Sequence, residues 1–182
     1  LLHFNNTGSV VGEEVLVGDD RIKLIFDNAD NVFSISLLGA SLNLGGVLTI
    51  EGDLSYKSQD GYEVLGAENM TLFVGEGALR LDDGELNPFA RGLMITDATI
   101  GLMKKVELDG TKSYALKADG QVSVVGISAL SLSGPISISY NGFNDVINQT
   151  VTIVGTTKQV TVDFVKDQVK KAEKAFYEIK GF

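Results

Sequence analysis

Cysteine is absent from this chain of 182 residues. That removes disulfides, thiolate nucleophiles, iron–sulfur clusters and cysteine-based zinc sites together. Histidine occurs once, as His3, among first residues expected to be poorly ordered, so neither a Ser–His–acid triad nor a histidine metal site is expected. Tryptophan is missing, and the five tyrosines (Tyr56, Tyr62, Tyr114, Tyr140, Tyr177) are scattered along the sequence. Positive charge is scarce: Lys and Arg number 15 against 24 Asp and Glu, a net charge of −9 with a pI near 4.5. A phosphate surface needs clustered Lys and Arg. Here the basic residues gather only between Lys166 and Lys180, which argues against nucleic acid or an anionic membrane as partner. Proline is down to 2 while glycine reaches 21, a balance that fits turns and bulges between strands better than a flexible tether. No apolar run approaches the roughly 18–20 residues needed to span a bilayer as a helix. The chain opens on Leu1, so any signal peptide would lie upstream.

Alternation with period two dominates what is present. Leu48, Ile50, Leu54 and Tyr56 share one parity across a run reading Val47-Leu48-Thr49-Ile50-Glu51-Gly52-Asp53-Leu54-Ser55-Tyr56, the pattern of a half-buried strand. Asp60-Gly61, Asp109-Gly110 and Asp119-Gly120 read as tight turns between such runs. One segment departs from this pattern. Val165, Val169, Ala172, Phe176 and Ile179 recur at steps of four and three, with Lys166, Lys170, Lys171 and Lys174 on other faces. That spacing predicts an amphipathic helix, with Asp163 as N-cap, laid over an open sheet edge.

The chain also resembles itself. Val15-Leu16-Val17-Gly18 and Ile22-Lys23-Leu24-Ile25-Phe26 return as Val151-Thr152-Ile153-Val154-Gly155 and Val160-Thr161-Val162-Asp163-Phe164. The spacings are 137 (155 − 18) and 138 (164 − 26) residues. One full period followed by the opening of the next suggests a tandem array whose neighbours cover each other's edges. A fainter match pairs Leu42, Leu44, Gly46, Leu48 and Ile50 with Leu130, Leu132, Gly134, Ile136 and Ile138. Its central glycine would mark a bulge or bend, although two amphipathic strands with a central glycine also look alike by chance.

Asn6-Thr7-Gly8 with Val15-Leu16-Val17-Gly18, then Glu68-Asn69-Met70-Thr71-Leu72-Phe73-Val74-Gly75, Gly92-Leu93-Met94-Ile95-Thr96 and Val124-Val125-Gly126 onward to Gly134, resemble segments of the tandem β-rich repeats of giant secreted or surface-attached bacterial proteins. In that family such units often stand beside calcium-associated or cadherin-like repeats and are taken to build adhesin-like stalks. The resemblance implies an extracellular or cell-surface setting and no catalytic residue. The Lys-rich segment and Asn87-Pro88-Phe89-Ala90-Arg91 depart from the family pattern.

The expected fold is all-β: an elongated antiparallel β meander, sandwich- or solenoid-like, with one amphipathic helix near the C-terminus. Residues 1–31 would end a preceding unit, 32–164 form one full unit, and 165–182 hold the helix and the start of the next. No catalytic residue, metal ligand or cofactor is assigned, and no enzyme activity is expected. The strongest chemical alternative is calcium at the acidic turn Asp82-Asp83-Gly84-Glu85, or at Asp19, Asp20, Asp27 and Asp30, since calcium takes clustered oxygen ligands. No D-x-D-x-D-G loop accompanies these residues, and solvated turns account for them as well. The expected function is a non-catalytic spacer or scaffold whose partners are neighbouring units of the same polypeptide and possibly a surface glycan. The alternative is a ligand-binding β domain for a glycan or a hydrophobic molecule.

Overall fold

Runs of β-branched and aromatic residues in alternation pair best as antiparallel ladders, and they do so here. The computed structural model describes residues 2–27, 29–44, 47–59, 61–106, 109–153, 156–171 and 174–181. The strands are β1 (Leu2–Asn5), β2 (Val11–Val17), β3 (Asp20–Phe26), β4 (Val32–Leu44), β5 (Leu48–Gln59), β6 (Tyr62–Glu76), β7 (Arg91–Val106), β8 (Lys112–Val125), β9 (Ser133–Asn141), β10 (Ile147–Thr152), β11 (Gln159–Phe164) and β12 (Phe176–Gly181). Eight of them form one sheet in the order β1-β4-β5-β6-β7-β8-β9-β12, and β2–β3 and β10–β11 are separate hairpins. Every pairing is antiparallel.

The fold is all-β as expected, but among the described residues the expected helix is absent. Only Lys166–Gln168 makes a short 3-10 turn, and Phe176–Gly181 is a strand paired to β9. Two physical reasons favour the strand. Lys166, Lys170 and Lys174 would stack like charges at i, i+4 and i+8 on a helix. Pairing with β9 satisfies an edge that would otherwise stand open, while Phe176 meets Phe164 edge to face at 6.2 Å. Asp163 caps nothing: it lies within β11, and its carboxylate accepts a hydrogen bond from Lys117 Nζ at 2.6 Å. Ala172, part of the helical spacing, lies outside the described residues.

Turn chemistry holds at one of its three sites, Asp109-Gly110, and at a second only as far as Gly61 is described. Gln59 pairs with Tyr62, so β5 turns into β6 over two residues; Gly61 has φ 78°, and Asp60 lies outside the described residues. Asp109 Oδ1 accepts from Thr111 N–H at 2.8 Å beside Gly110 at φ 83°. At Asp119-Gly120, however, β8 runs straight on, with Gly120 opposite Ile136. Glycine is needed there for space, since a Cβ would come within 2.9 Å of Ile95 Cγ2 and 3.2 Å of Ala98 Cβ.

The sheet is crossed by a line of bulges. Register shifts fall between Leu37 and Ala40, Glu51 and Asp53, Ala67 and Met70, and Thr96 and Thr99 on successive strands. Gly39, Gly52, Asn69 and Asp97 take positive φ along this line, the backbone signature of a bulged, bent strand. Asp53 ties three of these strands together. Its carboxylate accepts from Gly39 N–H at 2.9 Å and from Asn69 Nδ2 at 2.8 Å. The bulge anticipated at Gly134 does not occur, because β8–β9 register passes unbroken through Val122 and Gly134; Gly46 lies outside the described residues.

Candidate interaction surfaces

The largest core forms where β10–β11 lies on the sheet. Register runs Val64↔Met103↔Ala115 and, one row on, Ser55↔Gly66↔Gly101↔Lys117. The paired glycines leave a side-chain-free seat in the middle of the sheet, and Val151, Val160 and Val162 occupy it. Ile153, Val162 and Phe164 are fully buried there, each such side chain stabilising the fold by roughly 1.5–3 kcal/mol. At the rim, Lys117 Nζ sits 5.2 Å from the centre of the Phe164 ring. Asn141 closes the corner. It is 0% exposed, accepts from Phe143 N–H at 2.9 Å and donates to the Gln168 carbonyl at 2.8 Å.

The opposite end of the sheet is put together in the same way. Asn5, 3% exposed, accepts from Thr7 N–H at 3.0 Å and precedes the hairpin β2–β3. Asn5 pairs with Val32 as Asn141 pairs with Phe176, Phe4 with Phe33 as Tyr140 with Tyr177, and Leu2 with Ile35 as Ile138 with Ile179. Aromatic contacts accompany both: Phe4–Phe33 at 6.4 Å and Tyr140–Tyr177 at 5.0 Å. Within the hairpins, Val11↔Phe26 and Val15↔Ile22 correspond to Ile147↔Phe164 and Val151↔Val160. They differ in burial. The second hairpin is packed on the sheet, whereas β2–β3 is exposed along nearly its whole length.

The face of the sheet away from β10–β11 carries two continuous apolar rows. One reads Leu2, Ile35, Tyr56, Leu65, Leu102, Leu116, Tyr140, Tyr177 across all eight strands. The next reads Leu37, Leu54, Ala67, Ile100, Ala118, Ile138, Ile179. Apart from Ala67 these residues are half-buried or exposed, and contiguous exposed apolar surface is a common feature of interaction sites. Tyrosines that are distant in sequence meet here: the Tyr140 and Tyr177 rings touch at a tilt of 57°, and Tyr114 lines a groove with both.

The acidic turn is locally satisfied. Asp83 Oδ1 accepts from Glu85 N–H at 3.0 Å, and Arg80 donates to Gly84 O and to the carboxylate of Glu51. Among the described residues no group of three His, Asp or Glu is placed to hold a metal ion, and Asp82, Asp83 and Glu85 do not form one. His3 packs edge-on to Phe26 at 6.3 Å.

Sequence reasoning missed Gly66 and Gly101, and it set Asn141 against Asn6 rather than Asn5. A glycine inside a strand signals close approach of another backbone or side chain, and an asparagine just before each similar hairpin was visible in Phe4-Asn5 and Tyr140-Asn141. No protein-family model, curated protein or solved structure gives a significant match to the chain.

Proposed function

We propose that this chain is a non-catalytic structural repeat module of a large exported bacterial surface protein of the adhesin-like kind, acting as spacer or scaffold. The observation that carries this reading is the shared construction of the two sheet ends, register for register, with Asn5 matching Asn141 at a distance of 136 residues (141 − 5). On this reading residues 1–31 close a preceding unit and residues beyond 165 open the next. β1 corresponds to β9, so its free edge belongs beside a β8 of the unit before; β12 corresponds to β4 and belongs beside a following β5. The sheet would then run on from unit to unit, leaving no bare edges between them. The partners are neighbouring units of the same polypeptide, and the setting is extracellular or at the cell surface.

The test is a two-unit chain joining residues 1–136 to residues 1–182, compared with the single chain by thermal unfolding. It melts higher if units stabilise each other; equal melting temperatures would count against the reading. A second reading, binding of a hydrophobic molecule or a glycan, draws support from the apolar rows and from the gathering of Tyr114, Tyr140 and Tyr177. Saturable quenching of tyrosine fluorescence by a fatty acid or an oligosaccharide would favour it over the scaffold.

A further inference from the structure

The hairpin β2–β3 presents a largely hydrophobic face to solvent, interrupted by Glu13 opposite Leu24, where β10 has Gln149 opposite Val162, and by Asp20 opposite Val17. Val15, Val17, Ile22 and Leu24 are 44%, 55%, 49% and 43% exposed. They share that face with Val11 and Phe26, which the register places opposite each other. At the matching positions of β10–β11, Val151, Ile153, Val160 and Val162 are 2%, 0%, 2% and 0% exposed. The difference between the two hairpins is the surface beneath them. One lies on the Gly66–Gly101 seat, whose lack of side chains lets its valines approach; the other has no such seat within this chain, because β10–β11 already fills it.

We infer that β2–β3 docks through Val15, Val17, Ile22 and Leu24 onto the Gly66–Gly101 face of a preceding copy of this unit in the same polypeptide. There it takes the place that β10–β11 takes here. The occupant follows from continuity with an interface already present in the molecule. Asn5 and Asn141 each accept from the backbone N–H two residues on, at the mouth of their hairpins, and β1 and β9 hold matching register positions; the amide of Asn5 donates to Ser9 O, where that of Asn141 donates to Gln168 O. If β1 pairs with the β8 of the preceding unit, β2–β3 is carried over that unit's β6, β7 and β8. The inference rests on the tandem reading above, and adds that units interlock through a hairpin as well as through a shared sheet.

The two-unit chain contains both environments in one molecule, since its first β2–β3 stays free and its second reaches a seat. Ile22→Asp in the second unit is expected to lower the melting temperature by roughly 5 °C or more, as a charge is forced against the glycine seat. The same substitution in the first unit changes it little. Ile22→Val in the second unit is expected to stay near the parent, because the seat holds Val160 at this position here. Docking is overturned if Ile22→Asp has equal effects in the two units. That failure is distinct from failure of the tandem reading, in which the two-unit chain melts no higher than the single chain to begin with.

Discussion

Two residues carry opposite kinds of information about this molecule. Gly101 matters for what it lacks: a Cβ there would stand 2.6 Å from Val162 Cγ2 and 3.1 Å from Val160 Cγ1. Gly101→Val is therefore expected to cost about 1–3 kcal/mol through overpacking, read from urea unfolding. Gly12→Val, in open space on β2, serves as the comparison and is expected to change stability little. Asp53 matters for its charge. The Gly39 N–H, then the Asn69 amide, hold its carboxyl below the ordinary aspartate range. A carboxylate depressed in the folded state adds stability above its unfolded pKa and loses it as pH falls through the folded pKa. The loss is thus expected on the acid side of about pH 4. Asp53→Asn keeps an acceptor for Gly39 N–H, sets an amide donor against Asn69 Nδ2 and removes the titration, so it should lower stability at about pH 6 and narrow the stability difference between about pH 6 and about pH 3. An unchanged difference would show that Asp53 contributes nothing to the bulge line.

Among the elements, strands were legible and their relations were not. Alternation found β5, and Asp-Gly marked the turns before β6 and β8, because both signals are local; the same Asp-Gly signal wrongly broke β8 at Asp119-Gly120. The helical reading of residues 163–179 failed for a physical reason: Val165, Val169, Phe176 and Ile179 fit a helical stripe as well as they fit a loop followed by a strand. The free edge of β9, which decides between them, is a tertiary fact. The glycine seat was hidden likewise, since Gly66 and Gly101 become neighbours only through β6–β7 register. Cross-strand proton contacts between Ser139 and Glu178, and between Tyr140 and Tyr177, are expected in nuclear magnetic resonance spectra. Sequential amide contacts of helical type through residues 166–179 would contradict the assignment of β12.

At the scale of the whole molecule, the sheet has one face seated by a hairpin, one face lined by two apolar rows, and two edges of matching design. A free-standing domain blunts its edges with charge, proline or cover. Here β1 presents Leu2 and Phe4, and β12 presents Tyr177 and Ile179, all well exposed, beside one charged pair, Glu178 and Lys180, on β12. Such edges suit a sheet that continues into like units, where stability is the sum of unit and interface terms. Composition alone says nothing of this; the tandem proposal rests on the internal match of the two hairpins and on the register of β1–β4 and β9–β12. The most direct test is backbone hydrogen exchange in the two-unit chain, following the amides of Leu2–Asn5 in each unit. The account expects slow exchange for β1 of the second unit, paired on both sides, and faster exchange for β1 of the first, paired only with β4. Equal exchange in the two copies would mean that the sheet does not pass from one unit to the next, and would contradict the scaffold reading at its centre.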